Sequence, residues 1–150
     1  MQSHEEVYRT LAERPELVPV LSIAPQSVAS LAALHGMGAA EAMAGVRAFF
    51  RRELGFRAVF DTTFGRHLSL RESQIEYAER ASVKGKERAP PLPLLASACP
   101  GWICYAEKTH GELLPFVSAV KSPQQMNGTL VKEWWAPRQS LRCVRTARLG

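Results

Sequence analysis

The 150-residue chain is 46% apolar, the length and composition of one domain with a core of its own. No apolar run approaches the roughly 20 residues a membrane helix needs, and the polar start Met1-Gln2-Ser3-His4-Glu5-Glu6 lacks the basic and apolar regions of a signal peptide, so a soluble intracellular protein with no membrane partner is expected. The net charge of +5 would suit a nucleic-acid binder, but residues 1–137 hold all 14 acids against 15 Lys and Arg, and the excess sits in Arg138, Arg142, Arg145 and Arg148 of an acid-free end, so no nucleic-acid partner is expected either.

Good helix formers with Val7, Tyr8 and Leu11 at helical spacing predict a helix over 4–14, stopped by Pro15. The short apolar run 17–23 carries Pro19, which fits a strand start or edge. A helix over 26–35 is closed by Gly36, and another over 39–54 presents Ala42, Val46, Phe49 and Phe50 on one face and ends at Gly55. Residues 56–60 read as a second strand, after which Asp61-Thr62-Thr63 supply capping groups for a helix to about residue 81. The charged, proline-rich stretch 84–93 predicts an exposed loop. A third strand is expected at 94–97, a helix after Cys99-Pro100, a short fourth strand at 116–120 and a last helix from Ser122-Pro123. Strands separated by helices make an α/β lobe of about four mostly parallel strands flanked by helices.

In such sheets ligands gather at the carboxyl ends of strands, where turns into helices present backbone N–H groups. Three turns qualify: 24–27, 97–102 and 122–125. Cys99 stands just before Pro100, a residue suited to the first helical position, so its sulfur faces a helix N-terminus. A metal ligand, a nucleophile and a small buried residue at a tight turn all fit that local chemistry. Cys104, inside the helix beside Ile103 and Tyr105, reads as packing, as do Trp134 and Trp135 on the last helix. Ser122, Pro123 and Gln125 make a capping box that needs no ligand to explain it. His4, His35, His67 and His110 have no metal-ligand spacing and read as structural or solvent-facing, and neither a Walker A nor a G-x-G-x-x-G sequence occurs. The three cysteines, Cys99, Cys104 and Cys143, match no zinc site or disulfide framework.

Taken in order, residues 97–103 (Ser-Ala-Cys-Pro-Gly-Trp-Ile), 121–125 (Lys-Ser-Pro-Gln-Gln) and 128–132 (Gly-Thr-Leu-Val-Lys) resemble the large catalytic domain of iron-only hydrogenases. Residues 59–67, 69–74 and 106–111 bring the likeness closer to the eukaryotic nuclear prelamin A recognition factor family and its cytosolic iron–sulfur assembly relatives. The likeness covers about residues 2–136. It implies one lobe of the hydrogenase-like domain over 1–137 and a basic, disordered, non-family tail over 138–150, which reads as an alternative exon, a shifted reading frame or a faulty gene model.

The resemblance implies that Cys99 is a thiolate ligand of a 4Fe-4S cluster, and that Ser122, Pro123 and Gln124 line the adjoining cavity. Hydrogenases carry a proton-transferring cysteine at the position of Ala98, and a methyl group carries no proton, so no catalytic residue and no enzyme activity are expected. The family's other three cluster ligands lie beyond the last matching helix in motifs not found here, and its N-terminal ferredoxin-like cysteines would precede Met1. Cluster retention by this chain alone is therefore not expected. The implied role is a cluster-bearing adaptor in cytosolic iron–sulfur protein assembly, with other assembly proteins as partners, in the cytoplasm with the nucleus as a second compartment. A hydrogenase remnant or a cluster-free interaction module are the alternatives.

Overall fold

The computed structural model describes residues 4–83, 85 and 90–141. The chain divides into two compact units, residues 1–62 and 63–150.

In the first unit, α1 (His4–Glu13) precedes β1 (Val20–Ile23), and α2 (Pro25–His35) and α3 (Ala39–Arg52) connect β1 to β2 (Ala58–Asp61). The two strands are parallel, with Val20 opposite Ala58, Leu21 opposite Val59, Ser22 opposite Phe60 and Ile23 opposite Asp61. Parallel pairing requires a crossover long enough to return the chain to the starting edge, and the two helices provide it. Pro19 sits just outside β1, where its missing N–H costs no ladder bond while its carbonyl accepts from the Arg57 N–H at 2.9 Å. Val28 and Ala32 of α2, Ala42 and Met43 of α3 and Val59 of β2 form the core, with Leu21, Ile23, Val46 and Phe50 packed against it. Burial of each Val or Met in this core contributes at most about 1.5–3 kcal/mol, since each keeps a little of its surface exposed.

Gly36 closes α2 at φ 62°, ψ 31°, a left-handed conformation in which its N–H meets the Ala32 and Ala33 carbonyls. Helix α3 ends two residues before the expected point, and Gly55, at φ +68°, turns the chain so that Phe56 meets Phe50 edge-on at 5.2 Å. Phe49, placed by periodicity on the buried face, is instead 53% exposed, and Met43 takes the core position. Both strands are shorter than expected because pairing spans only four residues of each.

In the second unit, α4 (Thr63–Ser82), α5 (Pro100–Thr109), a 3-10 turn (Gly111–Phe116) and α6 (Pro123–Thr129) are followed by a π-helical segment (Leu130–Trp135) and α7 (Ala136–Arg138). Where strands three and four were expected, the chain forms a single parallel bridge, Leu95 to Val117, closed by Leu95 N–H to the Phe116 carbonyl (2.9 Å) and Ser118 N–H to the Leu95 carbonyl (2.8 Å). Four strands thus reduce, among the described residues, to two strands and one bridge, all parallel. The π segment, unforeseen from sequence, lies just ahead of Pro137. A proline there has no N–H for the Glu133 carbonyl and its ring would crowd that oxygen, and a wider turn relieves the crowding.

Trp134 is 54% exposed and so outside the core, which leaves the interface half of the packing expectation, with the Arg138 guanidinium 4.2 Å over its ring, while Trp135 is half-buried. Arg138 thus closes the last helix, and residues 142–150 of the basic end, with Cys143, lie outside the described residues, as do 84 and 86–89 of the expected loop.

Helices α4 and α6 approach at Gly65. A methyl group there would stand 2.5 Å from Asn127 Oδ1 and 2.7 Å from the Pro123 carbonyl oxygen, so glycine is required by space rather than by backbone angle. Gly65→Ala should destabilise the chain by about 1–3 kcal/mol in urea unfolding, and an unchanged midpoint would show that the two helices do not meet this closely.

Candidate functional site

Cys99 is the N-cap of α5, with φ −90° and ψ 111°, and Pro100 occupies the first turn. The Cys99 N–H donates to Ser97 Oγ at 3.1 Å, and the Cys99 carbonyl accepts from Ile103 at 3.3 Å, which fixes the turn from both sides. The sulfur lies over the first turn, 3.7 Å from where a Cβ on Gly101 would stand, and Cys99 is exposed. The small-buried-residue explanation for Cys99 therefore fails. Cys104 is exposed as well, against its expected packing role, because the buried stripe of α5 runs through Ala106 instead.

The second turn is anchored differently. Ser122 Oγ accepts the Gln125 N–H while Gln125 Oε1 accepts the Ser122 N–H, each at 3.3 Å, completing the expected capping box. The Ser122 hydroxyl is thus engaged with its own helix, Pro123 is half-buried, and Gln124 is exposed. Ser69 Oγ of α4 donates to the Lys121 carbonyl at 3.0 Å, tying the turn to that helix.

The parallel bridge relates these turns. Cys99 follows Leu95 by four residues and Ser122 follows Val117 by five, so both turns leave the bridge at its carboxyl edge. The structure brings Cys99 and the Ser122-Pro123-Gln124 turn to one edge of one unit, while the 24–27 turn belongs to the other unit.

What holds the edge in place was not singled out from sequence. Arg80 is 8% exposed, and its Nη1 donates to the carbonyls of Pro91 (3.3 Å), Pro115 (3.3 Å) and Phe116 (3.4 Å). Its Nη2 donates to the Val117 carbonyl at 3.0 Å and to Glu76 Oε1 at 2.7 Å. Glu76 in turn accepts the Ser118 hydroxyl on Oε2 and the Ala119 N–H on Oε1 at 3.2 Å. Burial alone would push the Glu76 carboxyl up, but the hydrogen bonds from Ser118, Ala119 and Arg80, with the Arg80 charge, outweigh it and hold the group below its ordinary value. The only sequence signal for this pair was the i, i+4 spacing of Glu76 and Arg80 on α4, a pattern more often found on solvated helix faces.

The histidines behave as expected: His4, His35 and His67 are exposed, and His110 caps α5 with Nδ1 at 3.0 Å from Glu112. Among the described residues, no three His, Cys, Asp or Glu side chains gather as a metal-binding group. A 4Fe-4S cluster takes four thiolates. Only two cysteines, Cys99 and Cys104, lie among the described residues, half the number required. The described donors do not by themselves fit the cluster.

Residues 18–146 match the family described as the iron only hydrogenase large subunit, C-terminal domain, and the chain belongs to that family. It is 48% identical over 147 residues to a zebrafish (Danio rerio) protein named cytosolic Fe-S cluster assembly factor narfl, covering 93% of this chain and 35% of that one. It is 47% identical to the mouse (Mus musculus) cytosolic iron-sulfur assembly component 3, over 93% of this chain and 30% of that one. The chain thus spans about a third of the length of these relatives. Among solved structures, a Chlamydomonas reinhardtii FeFe-hydrogenase variant superposes with a TM-score of 0.72 at 31% identity, covering 91% of this chain and 34% of that one.

Replacing Arg80 with Met leaves the part-buried Glu76 carboxylate without its cation and four carbonyls without this donor, and should cost about 1–3 kcal/mol in urea unfolding. Because the folded Glu76 value is depressed, its contribution to stability is complete above the ordinary glutamate range and is lost as pH falls through the folded value. Wild type should therefore lose more stability than Glu76→Gln between pH 7 and about pH 3, and parallel losses would show that Glu76 is not held ionised by this network.

Proposed function

We propose that this chain is part of a cytosolic iron–sulfur assembly factor in which Cys99 is a thiolate ligand of a 4Fe-4S cluster and the chain serves as a non-catalytic adaptor. The observation that carries the reading is the exposed Cys99 sulfur at the start of α5, on the same edge as the Ser122 turn. Soft thiolate donors suit iron–sulfur iron, and the helix N-terminus favours their negative charge. Ser122, Pro123 and Gln124 line the cavity beside the cluster, with the Ser122 hydroxyl committed to its capping box. With one thiolate at the site and four required, this chain alone does not retain the cluster. The names of the relatives support a role in cytosolic iron–sulfur assembly; other cytosolic assembly proteins as partners and the nucleus as a second compartment belong to the proposal alone. The hydrogenase-like domain takes in residues 1–137 and, since the family match runs on to residue 146, any non-family tail is confined to the last few residues.

Hydrogenase chemistry is disfavoured by Ala98, whose methyl cannot pass a proton beside Cys99. The chain should release no hydrogen when reduced anaerobically with dithionite and methyl viologen, and measurable evolution by gas chromatography would favour an enzyme.

Anaerobic reconstitution with iron and sulfide should give substoichiometric iron and no stable visible absorption, with Cys99→Ser changing the result little. A stoichiometric cluster abolished by Cys99→Ser would establish that this chain suffices to bind it. Immobilised chain should retain cytosolic assembly proteins without bound iron, and failure to retain any of them would contradict the adaptor role.

A further inference from the structure

The first unit carries seven acidic residues and six arginines, so it has no general excess of positive charge. Yet Arg47, Arg51, Arg52 and Arg57 fall within eleven residues, with Glu53 the one acid among them. Arg47, Arg51 and Arg52 are exposed on α3 at i, i+4 and i+5, and with Ala48 they line a shallow cavity of about 420 Å³. Among the described residues, none of these three guanidinium groups has a carboxylate in ion-pair range. Their number exceeds what closing the helix dipole requires, since Arg47 lies more than a turn before the end of α3.

We propose that this face of α3 is a docking site for an acidic peptide segment of a partner protein, its carboxylates gripped by the planar forks of Arg47, Arg51 and Arg52. Guanidinium pairs bidentately with carboxylate, and an arginine cluster recognises acidic motifs in this way. Three guanidinium groups along one stretch of helix can each take a separate carboxylate, which a segment carrying several acids provides and a lone inorganic anion does not. A nucleic acid fits less well, because its affinity comes from many phosphate contacts along a basic track, and here the basic residues end within one short helix of an otherwise acid-balanced unit. The inference rests on the charge distribution of α3 and is independent of the iron–sulfur reading.

The test is fluorescence anisotropy of a labelled twelve-residue peptide with six Asp or Glu and one Leu, titrated with the full 150-residue chain. Saturable binding is expected that weakens at least tenfold in Arg47→Gln/Arg51→Gln/Arg52→Gln. A control removing the same charge elsewhere, Arg9→Gln/Arg66→Gln/Arg71→Gln, should change it less than about twofold, as these side chains are also exposed. Arg-to-Lys replacement at the three α3 positions, which keeps charge and places the same demand on folding, should still weaken binding several-fold, because the forks are lost. Equal loss in both glutamine triples, full affinity in the lysine triple, tighter binding of a single-stranded oligonucleotide of equal charge, complete competition by inorganic phosphate at equal charge, or no saturable binding would each overturn the proposal.

Discussion

The candidate site depends on a buried ion pair. The stretch from Pro115 to Ala119 has one bridge to a neighbouring segment and little regular structure of its own, so its carbonyls need donors from elsewhere. Arg80 supplies them with its two terminal nitrogens, reaching three of these carbonyls and that of Pro91, and Glu76 balances the charge while holding Ser118 and the Ala119 N–H. Desolvating a guanidinium costs several kcal/mol unless its donors are used and a counter-charge lies near, and both conditions are met. The pair thereby does for an irregular segment what a full ladder does for a strand.

From that anchor the rest of the edge follows. Leu95 bonds to the held segment, and four residues later the chain enters α5 through Cys99. On the other side Val117 leads within five residues to Ser122, whose helix packs on α4 at Gly65. The Ser97 hydroxyl and the capping box then fix the two turns locally. The result is an exposed thiol at the start of α5, held by local hydrogen bonds at its turn.

Much of this was legible in the sequence where one residue fixes a local geometry. Gly36 had to close α2, Pro100 had to open α5, and Ser122 with Gln125 had to form a cap, because each outcome depends only on near neighbours. Features that depend on what covers a face were not legible. Periodicity placed Phe49 and Cys104 inside, but spacing says which residues share a face, not whether another element lies against it. The expected strands shrank for a related reason, since a strand exists only as far as its partner accompanies it. Glu76 and Arg80 had the spacing of a surface pair, and their burial comes from carbonyls 11 to 37 residues from Arg80. The π segment required seeing that Pro137 disturbs a helix already under way.

The central claim is that the Arg80–Glu76 pair holds the bridge between the two turns. Amide hydrogen exchange at Leu95, Ser118 and Ala119 reads it directly, because these N–H groups close the bridge and the Glu76 contact. All three should be protected in the wild-type chain and should lose protection together in Arg80→Met, while amides of the first-unit core keep theirs. Fast exchange at these positions in the wild type, or protection unaffected by loss of Arg80, would contradict the account.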